Sequence, residues 1–126
     1  MKKYLALIAI FVFATNAHSA AVVCAEDPDT NQRMCFPQGP IRVSTDKVVR
    51  EAALYSGGPR GASATGHNVR VFCSDKFVPV IEMRDRKGVV FARNQPEAKI
   101  GRDFASIVCK HTPTKLDKNL DGVPRF

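Results

Sequence analysis

Apolar residues are bunched along this chain, and their spacing changes character several times. Leu5 to Ala14 form a continuous apolar run, behind Lys2 and Lys3 and ahead of small and polar residues through Ala20. A charged start, a short apolar run and a small-residue cleavage site predict a secretory signal peptide over residues 1–20. Ala17-His18-Ser19 and Ser19-Ala20-Ala21 both suit the peptidase. The run is about half of the roughly 20 apolar residues that a spanning helix needs. Val23, not a small residue, precedes Cys24, which argues against lipid anchoring. Residues 21–126 are therefore expected to be one exported domain, periplasmic or secreted, with no transmembrane anchor.

Past the signal, Cys24 to Pro40 is rich in Asp, Asn, Pro and Gln, and reads as a loop or irregular hairpin. Ile41 and Val43 start a short strand. Ser44, Thr45 and Asp46 offer N-caps for a helix over Lys47 to Leu54, where Val48, Ala52 and Tyr55 sit at helical spacing and Gly57 is placed to end it. Ser56 to Gly66 holds four glycines and a proline with no apolar period, and reads as a mobile connection. Strict alternation follows at Val69, Val71 and Cys73, and then come two β-rich runs, Phe77 to Met83 and Val89 to Phe91. Asp85-Arg86-Lys87-Gly88 supplies the turn between them, so a three-stranded antiparallel meander is predicted. Pro79, which lacks an amide donor, places its strand at an edge or a bulge. Ala98 to Lys110 fits a helix with Ile100, Phe104, Ile107 and Val108 inward, or else a last strand through Ala105 to Cys109; the i, i+3, i+4 spacing favours the helix. The expected fold class is α+β: a small disulfide-stapled domain with that meander and one or two helices, and 111–126 as a polar tail.

Four cysteines, Cys24, Cys35, Cys73 and Cys109, all lie in the exported part, which implies two disulfides. Of the three connectivities, Cys24 with Cys35 and Cys73 with Cys109 is preferred: the first brackets a turn-rich loop, and the second ties a strand to the C-terminal element. Spacings of 11, 38 and 36 without a Cys-x-x-Cys fit no zinc module. Charge adds a direction. Without Lys2 and Lys3 the 19 basic residues become 17 against 12 acids, and from Arg84 to Phe126 there are ten Lys or Arg to five acids. Such a field favours an acidic protein or another anionic envelope macromolecule. Arg84, Arg86, Lys87 and Arg93 are the candidate binding residues. A basic face lined by Arg70, Phe72, Arg84, Arg86 and Arg93 would also suit nucleic acid, although an exported protein meets little of it.

Candidate chemistry is sparse. Only His67 and His111 remain after signal cleavage, and with Lys110 they make an acid–base set of the kind that cleaves RNA. A small secreted ribonuclease or toxin domain is thus the alternative to a binding protein. No Gly-x-Ser-x-Gly, His-Glu-x-x-His or Ser-x-x-Lys is present, and no cofactor is expected. The sequence favours an inhibitor, an immunity factor or an envelope accessory protein over an enzyme.

The stretch from His111 to Pro124 contains Asp117, Asn119 and Asp121 alternating ahead of Gly122, and resembles the ending of excalibur-type calcium-binding modules over about sixteen residues. The resemblance implies that those three side chains converge on a hard cation. Arg125 and Phe126 stand where the module has its cysteine and closing glutamate, which removes the bidentate carboxylate.

Overall fold

The computed structural model describes residues 21–58, 61–74 and 78–125. The predicted signal peptide and Phe77 lie outside the described residues. Strands β1 (Val22–Glu26), β2 (Arg33–Pro37), β3 (Ile41–Val43), β4 (Val49–Gly58), β5 (Gly61–Phe72), β6 (Val80–Arg84), β7 (Val90–Asn94) and β8 (Thr114–Leu116) join in one eight-stranded sheet. Helix α1 (Lys99–Lys110) lies between β7 and β8 in the chain, and a 3-10 turn, Lys118–Gly122, follows β8.

The main path is β1-β2-β4-β5-β6-β7. One edge of β4 is shared: β2 pairs with its C-terminal half, Cys35 opposite Tyr55, and β3 with its N-terminal half, Arg42 opposite Glu51. β8 adds outside β3, and this is a parallel pair in an otherwise antiparallel sheet.

The expected balance of helix and sheet is overturned. The meander exists as β5-β6-β7, but it is one side of a larger, mostly antiparallel sheet with a single helix. Two readings failed together. The helix expected over Lys47 to Leu54 is the start of β4, and the mobile connection expected over Ser56 to Gly66 is the far end of the β4–β5 hairpin, paired out to Gly58 opposite Gly61. Ala, Leu and Glu favour helix locally, but strand partners on both edges of β4 supply backbone pairing in place of helical hydrogen bonds, and context of this kind overrides propensity. Gly57 is needed there because a Cβ would fall 1.9 Å from the Gly61 carbonyl oxygen. Pro79 sits just before β6 rather than within it.

Alternation along β4 and β5 sorts side chains to two faces. Ala52, Leu54, Val69, Val71 and Ile81 pack against Phe104, Ala105 and Val108 of α1, together with Phe36 of β2, whose ring meets Phe104 edge-on at 5.9 Å. The helix uses the inward face expected of it, with Ile100 and Ile107 partly buried beside that core. Arg50, also on β4, reaches the end of α1 and donates Nη1 to the carbonyls of Val108 and His111 at 3.0 and 2.8 Å. Both carbonyls lie at the C-terminal end of the helix, where a cation also meets the negative end of the helix dipole. Burial pulls the Arg50 pKa down. On the opposite face Val49, Phe72 and Leu120 form a second, smaller cluster.

Both preferred disulfides are present. Cys24–Cys35 joins two residues directly opposite in β1 and β2, and Cys73–Cys109 ties the end of β5 to the last turn of α1. Loop entropy rises with the length enclosed, so the clips differ in weight. Replacing Cys73 and Cys109 together by Ala is expected to cost about 4 kcal/mol, and replacing Cys24 and Cys35 about 3 kcal/mol, in urea unfolding of the oxidised protein. The reverse order would show that loop closure does not govern these bonds.

Candidate functional site

On the sheet face turned away from α1, one residue from each of five neighbouring strands falls in register. Arg42 of β3 lies opposite Glu51 of β4, Glu51 opposite Arg70 of β5, Arg70 opposite Glu82 of β6, and Glu82 opposite Arg93 of β7. The result is a row of alternating charge across the sheet, with rungs set by the strand spacing of about 4.8 Å. Arg42 and Arg70 both donate to Glu51, Arg70 through Nε to Oε2 at 2.6 Å. Arg93 holds Glu82 Oε2 with Nε at 3.0 Å and Nη2 at 2.7 Å.

Glu82, the fourth member of the row, is only 1% exposed. Arg84 Nε lies 3.1 Å from its Oε1, and Arg70 Nη1 lies 3.8 Å away. Neither contact is aligned as a hydrogen bond, and both Glu82 Oε1 and Arg84 Nε are buried without one. Attraction there is coulombic. A carboxylate taken out of water is tolerable only because three guanidinium groups surround it. In return it fixes those arginines, and the face carries four arginines, Arg42, Arg70, Arg84 and Arg93, on the buried Glu51 and Glu82, with Asp117 3.7 Å from Arg42 Nη1 as a third acid.

Beside this row the β6–β7 turn projects two more cations. Asp85 Oδ1 accepts from the amides of Lys87 and Val89 at 2.8 and 2.9 Å, and the backbone closes Asp85 to Val89 and Gly88 to Asp85 at 3.0 Å each. Arg86 and Lys87 are exposed and form no ion pair with a described residue. The four predicted binding residues are therefore two pairs: Arg84 and Arg93 held by Glu82, Arg86 and Lys87 open to solvent.

The candidate catalytic set is not brought together. The ring of His67, on β5, lies 4.8 Å from that of Phe91 of β7, whereas the ring of His111 meets Phe36 of β2 at 4.9 Å and its Nε2 lies 3.0 Å from the Gly39 carbonyl oxygen. β2 and β7 stand four strands apart along the sheet. Lys110, next to His111 at the end of α1, lines a different hollow from His67.

The C-terminal segment is a structural clip. Asp117 Oδ1 accepts from the Asn119 amide at 3.0 Å, and Asp121 turns to Thr45, accepting from its amide and hydroxyl at 2.7 Å each. Asp117 and Asp121 thus turn to different partners, and among the described residues no group of three or more His, Cys, Asp or Glu is placed to hold a metal. Arg125 Nη2 reaches Asp46 Oδ2 at 3.1 Å across the same junction. Hydrogen bonds from the Ser44 hydroxyl and the Val48 amide, aided by Arg125, hold the Asp46 pKa down to about 2.

Sequence reasoning found Arg70, Arg84 and Arg93 on one side of the meander but missed Arg42, Glu51 and Glu82. The available signal was Glu82 itself, a lone acid inside the apolar run from Val78 to Met83. A buried carboxylate there demands cations opposite.

Two outcomes test this electrostatic account. Glu82→Leu is expected to lose about 3–5 kcal/mol, because it leaves the arginines packed together without their counter-charge, whereas breaking the exposed Lys99–Asp103 pair with Lys99→Ala is expected to cost under about 0.5 kcal/mol; chemical denaturation of both reads the contrast. Asp46, with its folded pKa below the unfolded one, adds stability above the unfolded carboxylate value, and this is lost as pH falls through about 2. The stability gap between wild type and Asp46→Ala is therefore expected to be full at pH 5 and to shrink between about pH 4 and pH 2. A gap independent of pH would remove the assignment.

The chain matches no family model, and neither a curated protein nor a solved structure matches it.

Proposed function

We propose that this is a small exported binding protein that takes an anionic partner through the arginine-rich face and the β6–β7 turn. Two disulfides suit an oxidising compartment, and no helix among the described residues is long and apolar enough to cross a membrane. The observation that carries the reading is the excess of cation over anion on one side of the sheet: four arginines answered by Glu51, Glu82 and Asp117, with Arg86 and Lys87 beyond them. Ordering these side chains in advance reduces the entropy lost on binding. Their field also speeds encounter with a partner of opposite sign.

Capture on the mature oxidised protein from envelope and secreted extract, read by mass spectrometry, is expected to return a stoichiometric anionic partner. Arg86→Glu with Lys87→Glu is expected to slow association with it by about tenfold at low salt and to converge with wild type at high salt. Arg84 and Arg93 are left intact in this variant, because reversing them disturbs Glu82. An association rate unchanged by the double reversal at low salt would overturn the reading.

A further inference from the structure

The β6–β7 turn combines two features that the charge argument alone does not use. The first is an open hollow of about 400 Å³ lined by Thr65, His67, Asp85, Arg86 and Lys87. Its one carboxylate, Asp85, already accepts two backbone amides through Oδ1, so the open donors in the hollow belong to Arg86 and Lys87. Arg86 is seated: its guanidinium lies over Gly66, whose φ is +81° and where a Cβ would fall 2.4 Å from Nε. No side chain other than hydrogen leaves room for that arrangement. The second feature is a pair of large apolar side chains left in water, Val89 at 57% and Phe91 at 53% exposure. His67 connects the two, lining the hollow and placing its ring 4.8 Å from that of Phe91.

Cations beside unburied apolar side chains, on a turn fixed by its own hydrogen bonds, call for a surface that is anionic outside and apolar just beneath. A bilayer carrying acidic lipid offers both within about 5–10 Å of depth. A flat acidic protein patch would answer Arg86 and Lys87 but leave Val89 and Phe91 against charge and water. We propose that the β6–β7 turn docks on an anionic phospholipid surface, with Arg86 and Lys87 taking headgroup phosphates at the hollow and Phe91 and Val89 entering the interfacial layer. This rests on the reading of the protein as a binder of anionic partners and names the partner surface. Docking is reversible, since two cations and two apolar side chains supply far less than a spanning helix.

The test uses the mature oxidised protein and vesicles of phosphatidylglycerol and phosphatidylcholine in equal parts, with pure phosphatidylcholine vesicles as control, read by co-sedimentation. Binding is expected on the mixed vesicles only, and to weaken as salt rises. Arg86→Ala with Lys87→Ala is expected to weaken it roughly thirtyfold, at about 1 kcal/mol for each cation near the surface. Phe91→Ala, at an exposed position, is expected to weaken it about tenfold while leaving the salt dependence in place. Soluble glycerol phosphate in excess is not expected to displace the protein, because it supplies the phosphate without the apolar layer; full displacement would reassign the hollow to a free phosphate compound. Loss with the cation variant but none with Phe91→Ala would mean electrostatic adsorption alone and would overturn the docked geometry. A blank on mixed vesicles, alongside capture of an acidic protein that depends on Arg86 and Lys87, would end the lipid proposal and keep the broader reading; a blank in both would end both.

Discussion

The architecture depends on β4, in whose first half Val49, Glu51, Ala52 and Leu54 are buried. Its two edges are taken by β2 and β3 on one side and β5 on the other, one face is covered by α1, and the opposite face carries Val49 and Glu51. Such a strand cannot expose a polar group cheaply, so Glu51 must be answered, and Arg42 and Arg70 answer it from the strands at either edge. Once Arg70 is drawn inward, the next strand needs an acid, and Glu82 supplies it; that acid in turn draws Arg84 and Arg93. The charge row is thus a chain of obligations that starts from one buried acid, Glu51 of β4.

The same logic divides the basic residues by role. Arginines packed over Glu51 and Glu82 are largely committed to holding the sheet face together, and Arg50 to closing the end of α1. Cations at the β6–β7 turn have no such duty; it is the backbone beneath them that the Asp85 hydrogen bonds fix. Net charge alone hides this distinction between cations that hold the sheet together and cations that are presented to solvent.

Some of this was legible in the sequence. Amphipathic spacing in Ala98 to Lys110 gave the helix and its inward residues, cysteine placement gave both disulfides, and Asp85 to Gly88 gave the turn. The register of charges was not, because Arg42, Glu51, Arg70, Glu82 and Arg93 are far apart in the chain and meet only after five strands align. Lys47 to Leu54 misled for a related reason: its residues sit at helical spacing and favour helix, and only the strands on both sides make it extended. Glycines at 57, 58 and 61 read as a loop because a single sequence does not show that they face each other across a hairpin.

The second cluster has a consequence for how the chain comes together. Val49 and Phe72 are covered by Leu120, and Asp121 and Arg125 fasten that segment to Thr45 and Asp46, so the last residues of the domain close on the β3–β4 connection. Parallel pairing of β3 with β8 is likewise a contact between distant segments. Contacts of such long range carry loop-closure entropy and form slowly. A chain lacking its last dozen residues would leave Val49 and Phe72 uncovered on that face of the sheet, so the seal is the last part of the fold that synthesis can supply.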